Sequence, residues 1–331
     1  MFHLHGNILT EYGIASNNHG RNEGNMITLP ILHWRGGKYS TVSAEAIREA
    51  LRFIWQEQGL SVNRTVHPED PENRYHYKPE FDPNLYVDDD IMGYLKIEQA
   101  KQEASPDENA AQVEQPPQEP DENTTQVEQP TQEPDKKKKP KKPKKPPKGK
   151  GTPRKGALDV TRAISTTPYD SDVVHNASGG KKDSTSLYSS QCHSTYYQYG
   201  FSITPNHLTD CKRVFHVLDG LDSLHRVGGS HSRWLYDFSP NSLIFRWTHD
   251  PCPRFLYCVE ANNKTIDCPK LLKRMKNGRI DPEEVWIAGD IVEYLDVEIL
   301  KSDGVHIFEN PAFAIADLKQ QMRRDLEIES A

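Results

Sequence analysis

The sequence predicts an α+β fold in which two strand–helix–strand halves form one RRM-like, or ferredoxin-like, core with large insertions. Apolar residues alternate over residues 2–10 and 197–203, which is the period of a half-buried strand. Apolar residues recur at helical spacing over residues 44–58 and 207–226. Residues 96–155 show neither period. The prediction is therefore one folded core that a disordered, low-complexity insertion interrupts.

The first half of the core, residues 1–95, contains the best-defined helix. Ser43 is its expected N-cap, because a serine hydroxyl accepts a hydrogen bond from the first turn, and Gly59 ends it. Arg48 and Arg52 lie one turn apart on this helix, beside its apolar stripe. They are candidate contacts for a phosphate backbone, and the alternative is an ordinary solvated flank.

The other elements follow from the same two periods. Further strands are predicted at residues 26–34, 157–168, 242–248, 255–260 and 291–300. A short helix is predicted at residues 269–276, and a polar, amphipathic tail helix at 312–327 has an apolar face of Phe313, Ile315, Leu318 and Met322. The second half of the core is thus residues 156–311, which include a long polar loop at 169–195, and residues 312–331 form the C-terminal helix.

The insertion at residues 96–155 combines two kinds of low-complexity sequence. ENAAQVEQPPQEPD (108–121) is followed directly by ENTTQVEQPTQEPD (122–135), and the tract KKKKPKKPKKPPKGKG comes next. Neither part can bury an apolar face, so both are expected to be disordered. The lysine tract could bind nucleic acid without sequence preference, or the segment could be a solubilising linker.

The negative net charge of the chain does not by itself favour binding to a nucleic acid, which is a polyanion. The chain of 331 residues carries a formal charge of -7, and outside residues 96–155 it has 27 Lys and Arg against 37 Asp and Glu. Any polyanion must therefore bind a local basic strip. The five cysteines lack metal-finger spacing and are expected to be isolated thiols, so no metal and no cofactor is predicted. The absence of a long apolar run or signal pattern predicts a soluble, cytoplasmic protein without a membrane partner.

Three consecutive carboxylates, Asp88, Asp89 and Asp90, invite a metal-site interpretation. Side chains of consecutive residues diverge in an extended segment, so the triplet is a poor chelate. Metal catalysis by the triplet is therefore not expected.

Several motifs occur in the order found in a known family. These are N-I-L-T-E-Y-G, N-N-x-G-R-x-E-G-N, T-L-P, Y-S-T-V-S-A-E-A-I-R-x-A-L-R and D-D-D-I-M-G-Y. In these motifs the chain resembles the CRISPR-associated autoregulator (DevR) family, a branch of the Cas-seven superfamily, from Asn7 to about Leu295. The resemblance implies a non-catalytic backbone subunit of a type I Cascade complex, of subtype I-B, with thumb and finger-like loops inserted in the core.

The resemblance also implies partners and contact residues. The partners would be CRISPR guide RNA, further copies of the chain, other Cascade subunits, target DNA through the guide, and a transposition machinery as an open possibility. Candidate RNA contacts come from the Asn/Gly loop, the helix after Ser43, the thumb-like loop and a glycine-rich loop. They are Asn17, Asn18, His19, Arg21, Asn25, Ser43, Arg48, Arg52, Lys181, Lys182, Gly229, Ser230, His231 and Arg233.

Two other functions stay open at this point. A guide-RNA-processing endoribonuclease could use His19 or His231 as a general base, although proximity to an arginine is common by chance. A regulator could bind nucleic acid through the lysine tract. Tyr197 and Tyr199 alternate along a predicted strand and could stack on bases, but core packing is the commoner role of such a pattern.

Overall fold

The computed structural model describes residues 1–16, 22–23, 26–66, 75–77, 80–97, 151–170, 172–178, 186–228, 235–262 and 264–328. Both repeats and the lysine tract lie outside these ranges. The chain divides into two compact units: Met1–Tyr94 with Pro153–Ala331 form the first, and Leu95–Thr152 form the second.

Strands and helices alternate irregularly along the chain. Before residue 98 they are β1 (His3–Thr10), β2 (Gly13–Ala15), β3 (Asn22–Glu23), β4 (Met26–Ile27), β5 (Ile31–Trp34), β6 (Gly37–Val42), α1 (Ala44–Glu57), β7 (Arg64–Val66), β8 (Tyr75–Tyr77), α2 (Val87–Met92) and β9 (Gly93–Ile97). After residue 150 they are β10 (Gly151–Lys155), β11 (Leu158–Val160), β12 (Ala163–Ser165), β13 (Asp172–Ser178), β14 (Ser186–Thr195), β15 (Tyr197–Ile203), α3 (Arg213–Asp222), β16 (Pro240–Thr248), β17 (Glu260–Ala261), β18 (Ile266–Asp267), α4 (Pro269–Lys276), β19 (Val285–Gly289), α5 (Val297–Ser302), β20 (His306–Phe308) and α6 (Pro311–Asp325).

A nine-stranded sheet organises the fold. Its order is β20-β19-β16-β1-β15-β12-β6-β5, and β11 also pairs with β15. The N-terminal strand β1 is central and antiparallel to both neighbours, so that Leu4 lies opposite Ile203 on one side and Trp247 on the other. The first strand of the chain therefore joins the two halves of the sequence in one sheet.

Each face of the sheet has its own apolar core, because successive side chains of a strand point to opposite faces. Leu4 and Ile8 of β1 belong to the core that also contains the apolar faces of α1, α3 and α6. Leu9 belongs to the other core, which α4 and α5 cover with Leu271, Met275 and Leu300. The mixed α+β class predicted from the sequence is confirmed by this large sheet with few helices.

Helices α1 and α4 lie where the sequence predicts them, and two other predictions are wrong. Residues 255–259 form a loop in which Tyr257 has φ 53°, a left-handed conformation outside the range of a regular strand, and only Glu260 belongs to a strand, β17. Residues 290–302 form a 3₁₀ turn and α5, not a strand, because Asp296 caps that helix by accepting from the Ile299 N–H at 3.3 Å. The strand of this region is β19, immediately before it.

Three smaller expectations also change. The helix predicted over 207–226 is the shorter α3, preceded by a 3₁₀ turn. Part of the predicted polar loop 169–195 is the hairpin of β13 and β14. In α6 the residues Ala314, Ile315, Leu318 and Met322 are buried as an apolar face, but Phe313 is 65% exposed and does not belong to it.

Candidate nucleic-acid interface

The start of α1 is fixed as the sequence predicts. Ser43 has extended backbone angles and its hydroxyl oxygen accepts from the Ala46 N–H at 3.1 Å. This cap satisfies one of the free N–H groups of the first turn. Ile47 and Leu51 are fully buried, which sets the rotation of the helix and directs Arg48 and Arg52 toward α2.

Arg48 is half-buried and is held by the backbone of α2. Its Nη2 donates to the Met92 carbonyl oxygen at 2.7 Å. Burial lowers the pKa of Arg48, and the positive charge of Arg64 lowers it further. An arginine with a lowered pKa remains cationic at neutral pH, so Arg48 presents a fixed positive charge.

Arg52 is not on a solvated flank, and the alternative stated for it above is wrong. The residue is 8% exposed, and its Nε lies 3.6 Å from Oδ2 of Asp88, which is 1% exposed. A buried ion pair of this kind is costly to break, because the remaining charge would have no partner of equal strength. Arg52 is therefore part of the packing of α1 against α2, and contact with RNA stays a prediction for it.

The aspartate triplet is helical rather than extended, since it forms the first turns of α2. Asp88 accepts from the Asn63 N–H at 2.7 Å, and Asp89 accepts from the Asn63 Nδ2 at 2.8 Å. Burial raises the pKa of Asp89, and the neighbouring charge of Asp88 adds to that shift. Each carboxylate thus accepts from its own donor group of Asn63, which fits a structural role.

Asp90 connects three parts of the chain. Its carboxylate, which is fully buried, accepts from Nη2 of Arg154 at 2.6 Å, from Nη1 of Arg213 at 2.8 Å and from the Thr209 N–H at 2.9 Å. Burial acts to raise the pKa of Asp90, but the hydrogen bonds from Thr209, Arg213 and Arg154 outweigh it and the pKa is lowered. Asp90 is therefore ionised and fixes Arg154 of β10 beside α2.

A cleft of about 460 Å³ opens between α1, α2 and β10. We call it the arginine cleft; it is lined by Glu45, Arg48, Glu49, Arg52, Arg64, Met92, Gly93, Tyr94 and Arg154. Gly93 has φ 70°, and a Cβ there would collide with the Arg154 carbonyl oxygen. A glycine is thus needed for β10 to approach this closely. Four guanidinium groups and two carboxylates line the cleft, and Asp88 and Asp90 already pair with Arg52 and Arg154. The forked donors of the guanidinium groups suit an anion.

Sequence reasoning missed two of the four arginines. Arg154 was assigned to the low-complexity insertion on composition, although it belongs to β10, which pairs with β9. Arg64 lies in β7, a strand of three residues for which the sequence analysis predicts no element. The signal that could have found Arg154 is the return of residues other than lysine and proline at the end of the tract.

Most of the predicted contacts cannot be placed. Those outside the described residues are Asn17, Asn18, His19, Arg21, Asn25, Lys181, Lys182, Gly229, Ser230, His231 and Arg233. Ser43, Arg48 and Arg52 are described, and the structure brings the last two together at the arginine cleft.

The strand aromatics are core residues. Tyr197 and Tyr199 are fully buried, so neither ring can stack on a base, and burial raises the pKa of both phenols. The Tyr197 hydroxyl instead lies 2.7 Å from the Ser40 hydroxyl.

Two further features of the described residues bear on function. All five cysteines are free, and no group of three or more His, Cys, Asp or Glu in the described part of the chain is arranged to hold a metal ion. None of the helices in those same ranges has the length and apolar character to cross a membrane.

Comparison with known proteins gives one relative and a shared fold. A Myxococcus xanthus protein, "CRISPR-associated protein Cas7/Cst2/DevR", is 32% identical over 312 residues, or 89% of each chain. A chain of a "CRISPR RNA-guided surveillance complex, pre-nicking" has a TM-score of 0.50 and 12% identity, over 97% of this chain and 100% of its own. A second such complex gives 0.49 at 12% identity, with the same coverage. No family model matches the chain.

Proposed function

Because the chain belongs to the Cas7/Cst2/DevR family of CRISPR-associated proteins, we propose that it is the guide-RNA-binding backbone subunit of an RNA-guided surveillance complex. Several copies would assemble along one guide, since a head-to-tail interface repeated on a single strand gives an open helical array. The guide would read target DNA by base pairing, while the protein recognises the sugar-phosphate backbone.

The arginine cleft is the observation that carries this proposal. A phosphate is bound by guanidinium groups whose donors form a rigid fork, and bound best where those groups are already held in place. Arg48 is fixed by Met92 and Arg154 by Asp90, so neither needs to be ordered when an anion arrives. Such a cleft supplies the local positive charge that the acidic composition of the remaining chain demands.

The remaining parts of the proposal are more specific than membership of the family. We infer a non-catalytic role in a type I Cascade of subtype I-B, in the cytoplasm and with other Cascade subunits as partners. The core would be RRM-like, with the β13–β14 hairpin as part of the thumb-like loop. Target DNA would be met through the guide, and a downstream transposition machinery is one route the complex could serve.

The contact residues extend those proposed from the sequence. The fourteen candidates remain RNA contacts in this proposal, with Arg64 and Arg154 added because they line the same cleft as Arg48. Arg52 contributes less to binding than Arg48 in this scheme, since its charge is already partnered by Asp88.

The test is the RNA that co-purifies with the full chain expressed beside its partner genes and a guide. Arg48→Glu places a carboxylate among three remaining arginines, and loss of one charge-assisted contact predicts a fall of about tenfold or more in bound guide. Lys301→Glu is the matched control. Lys301 is an exposed cation on α5, and that helix packs through Leu300 on the core that does not contain α1. The control should retain guide at the wild-type level.

Wild-type levels of guide RNA on a folded Arg48→Glu variant would contradict the assignment of the cleft. Circular dichroism and the thermal transition of both variants establish that the comparison is between folded proteins. Charge reversal at Arg52 as well would make a poorer test, because a glutamate at that position would face the buried Asp88.

A further inference from the structure

A second cationic surface lies on other elements of the chain: the turn between β5 and β6, the loop before β17, and α4. We propose that this surface, the Trp34 patch, binds an unpaired segment of single-stranded nucleic acid separate from the strand in the arginine cleft. The patch is defined by Trp34, Arg35, Tyr257, Lys270 and Arg274.

Trp34 is half-buried, and its indole is held from two sides. Its ring centroid lies 5.5 Å from that of Tyr257 with an interplanar angle of 55°, and the Arg35 Cζ lies 5.8 Å from its centroid. The Arg35 Nη2 also donates to the Tyr257 carbonyl oxygen at 3.1 Å. The two segments thus hold an aromatic ring at the surface in a defined orientation.

The backbone at this contact is unusual. Arg35 has φ 46° and Tyr257 has φ 53°, so both are in the left-handed region that residues with a Cβ rarely adopt. The hydrogen bond between the two residues places these conformations against each other. Strained backbone persists where the surrounding structure enforces it, and such positions are concentrated at binding sites.

Three cations converge on this region. Cys258, next to Tyr257, lies in the same apolar core as Leu271 and Met275 of α4, which brings Lys270 and Arg274 of that helix to this region. The charges of Lys270, Arg274 and Arg35 all act on the Cys258 thiol, whose pKa burial raises. Among the described residues none of the three cations forms a salt bridge. This separates the patch from the arginine cleft, where Arg52 and Arg154 have carboxylate partners.

The combination of groups selects the ligand class. Cations without carboxylate partners bind phosphates, and a tryptophan that is only partly buried offers a ring for stacking. A duplex hides the faces of its bases, whereas an unpaired strand can place a base on Trp34 and its phosphates on Arg35 and Lys270. An acidic peptide would use the cations but not the indole.

The fluorescence of Trp34 should report whether a ligand is bound at the Trp34 patch. Tryptophan fluorescence of the full chain should be quenched as a single-stranded oligothymidine is added, and the quenching amplitude should fall by about half or more in Trp34→Phe, because a stacked base quenches the indole it covers. The lysine tract is present in both proteins, so the difference isolates the patch. Quenching of equal amplitude in Trp34→Phe would overturn the stacking proposal.

The cations are tested by a second variant. Arg35→Asn with Lys270→Gln removes two charges, and asparagine tolerates the left-handed backbone at position 35. Affinity for the oligothymidine should fall about tenfold, with a salt dependence reduced by about 1.4 in the log–log slope. Lys276→Gln is the matched control on α4, since Lys276 lines a different cavity, and it should change affinity less than the double variant. Unchanged affinity in the double variant would overturn the proposal.

Titrations with three further ligands identify the class of ligand that the patch binds. Single-stranded RNA should reproduce the quenching, because stacking does not depend on the sugar. Duplex DNA and a polyglutamate peptide should bind without quenching Trp34. Equal Trp34 quenching by either of them would reject an unpaired strand as the ligand. Arg48 is unaltered throughout, so failure here leaves the arginine cleft untouched and the reverse also holds.

Discussion

The arginine cleft and the Trp34 patch hold positive charge in opposite ways. In the cleft, Arg52 and Arg154 are partnered by buried carboxylates of α2. In the patch, Arg35 is placed by a ring and a carbonyl group, without a salt bridge among the described residues. Because its arginines pair with buried carboxylates, the cleft belongs to the folded core as well as to a binding surface. The patch belongs to the surface alone. Substitutions should therefore separate stability from binding.

The largest effect is expected at Asp90, which holds the cleft together. Asp90→Ala leaves Arg154 and Arg213 without their buried carboxylate, so the free energy of unfolding should fall by about 3–5 kcal/mol. Urea denaturation of the full chain measures this. Asp303→Ala, at an exposed position after α5, is the control and should stay within about 0.5 kcal/mol of wild type. An Asp90 variant as stable as the control would show that the cleft is not part of the core.

The same carboxylate predicts a pH dependence. Because the pKa of Asp90 is lowered by folding, its charge stabilises the native state fully above the ordinary aspartate value of about 4, and that stability is lost as pH falls toward the lowered pKa. The stability difference between wild type and Asp90→Asn should therefore shrink below about pH 4. Asp89 has a raised pKa, so Asp89→Asn should cost less at neutral pH. A constant Asp90→Asn difference down to acid pH would contradict this account.

A smaller effect should distinguish the two surfaces directly. Arg52→Gln removes the partner of buried Asp88 and should cost about 1–3 kcal/mol in the free energy of unfolding. Arg35→Asn should cost no more than about 0.5 kcal/mol, because Arg35 is exposed and asparagine accepts its backbone angles. Thermal or urea unfolding of both variants provides the comparison. Equal losses at the two positions would remove the distinction between core and surface cations.

The sequence predicts those helices whose ends are set by a capping residue, a glycine or a proline next to them in the chain. Ser43 and Gly59 bound α1, and Pro269 starts α4, as the sequence indicates. The sequence does not reveal that Val285–Gly289 is a strand and the next ten residues are not, because β-branched residues are common in both. Sheet pairing with β16 and the Asp296 cap decide the outcome.

The candidate site was predictable only in part. The spacing of Arg48 and Arg52 shows that they share a helix face, but the burial of Arg52 depends on Asp88, which is distant in sequence. Arg154 was hidden by its place at the end of a biased segment, and only the β9–β10 pair and Asp90 reveal its role. Ion pairs between residues that are distant in sequence produce no repeating pattern by which the sequence could reveal them.

The most direct test of the central claim is to map where guide RNA lies on the full chain. Photocrosslinking with 4-thiouridine-substituted guide, followed by mass spectrometry of the peptides, identifies residues in contact with the strand. Crosslinks are predicted in the peptides that line the arginine cleft, with Tyr94 and the α1 segment around Arg48 among them. Reproducible guide crosslinks that leave these peptides unmodified would contradict the account.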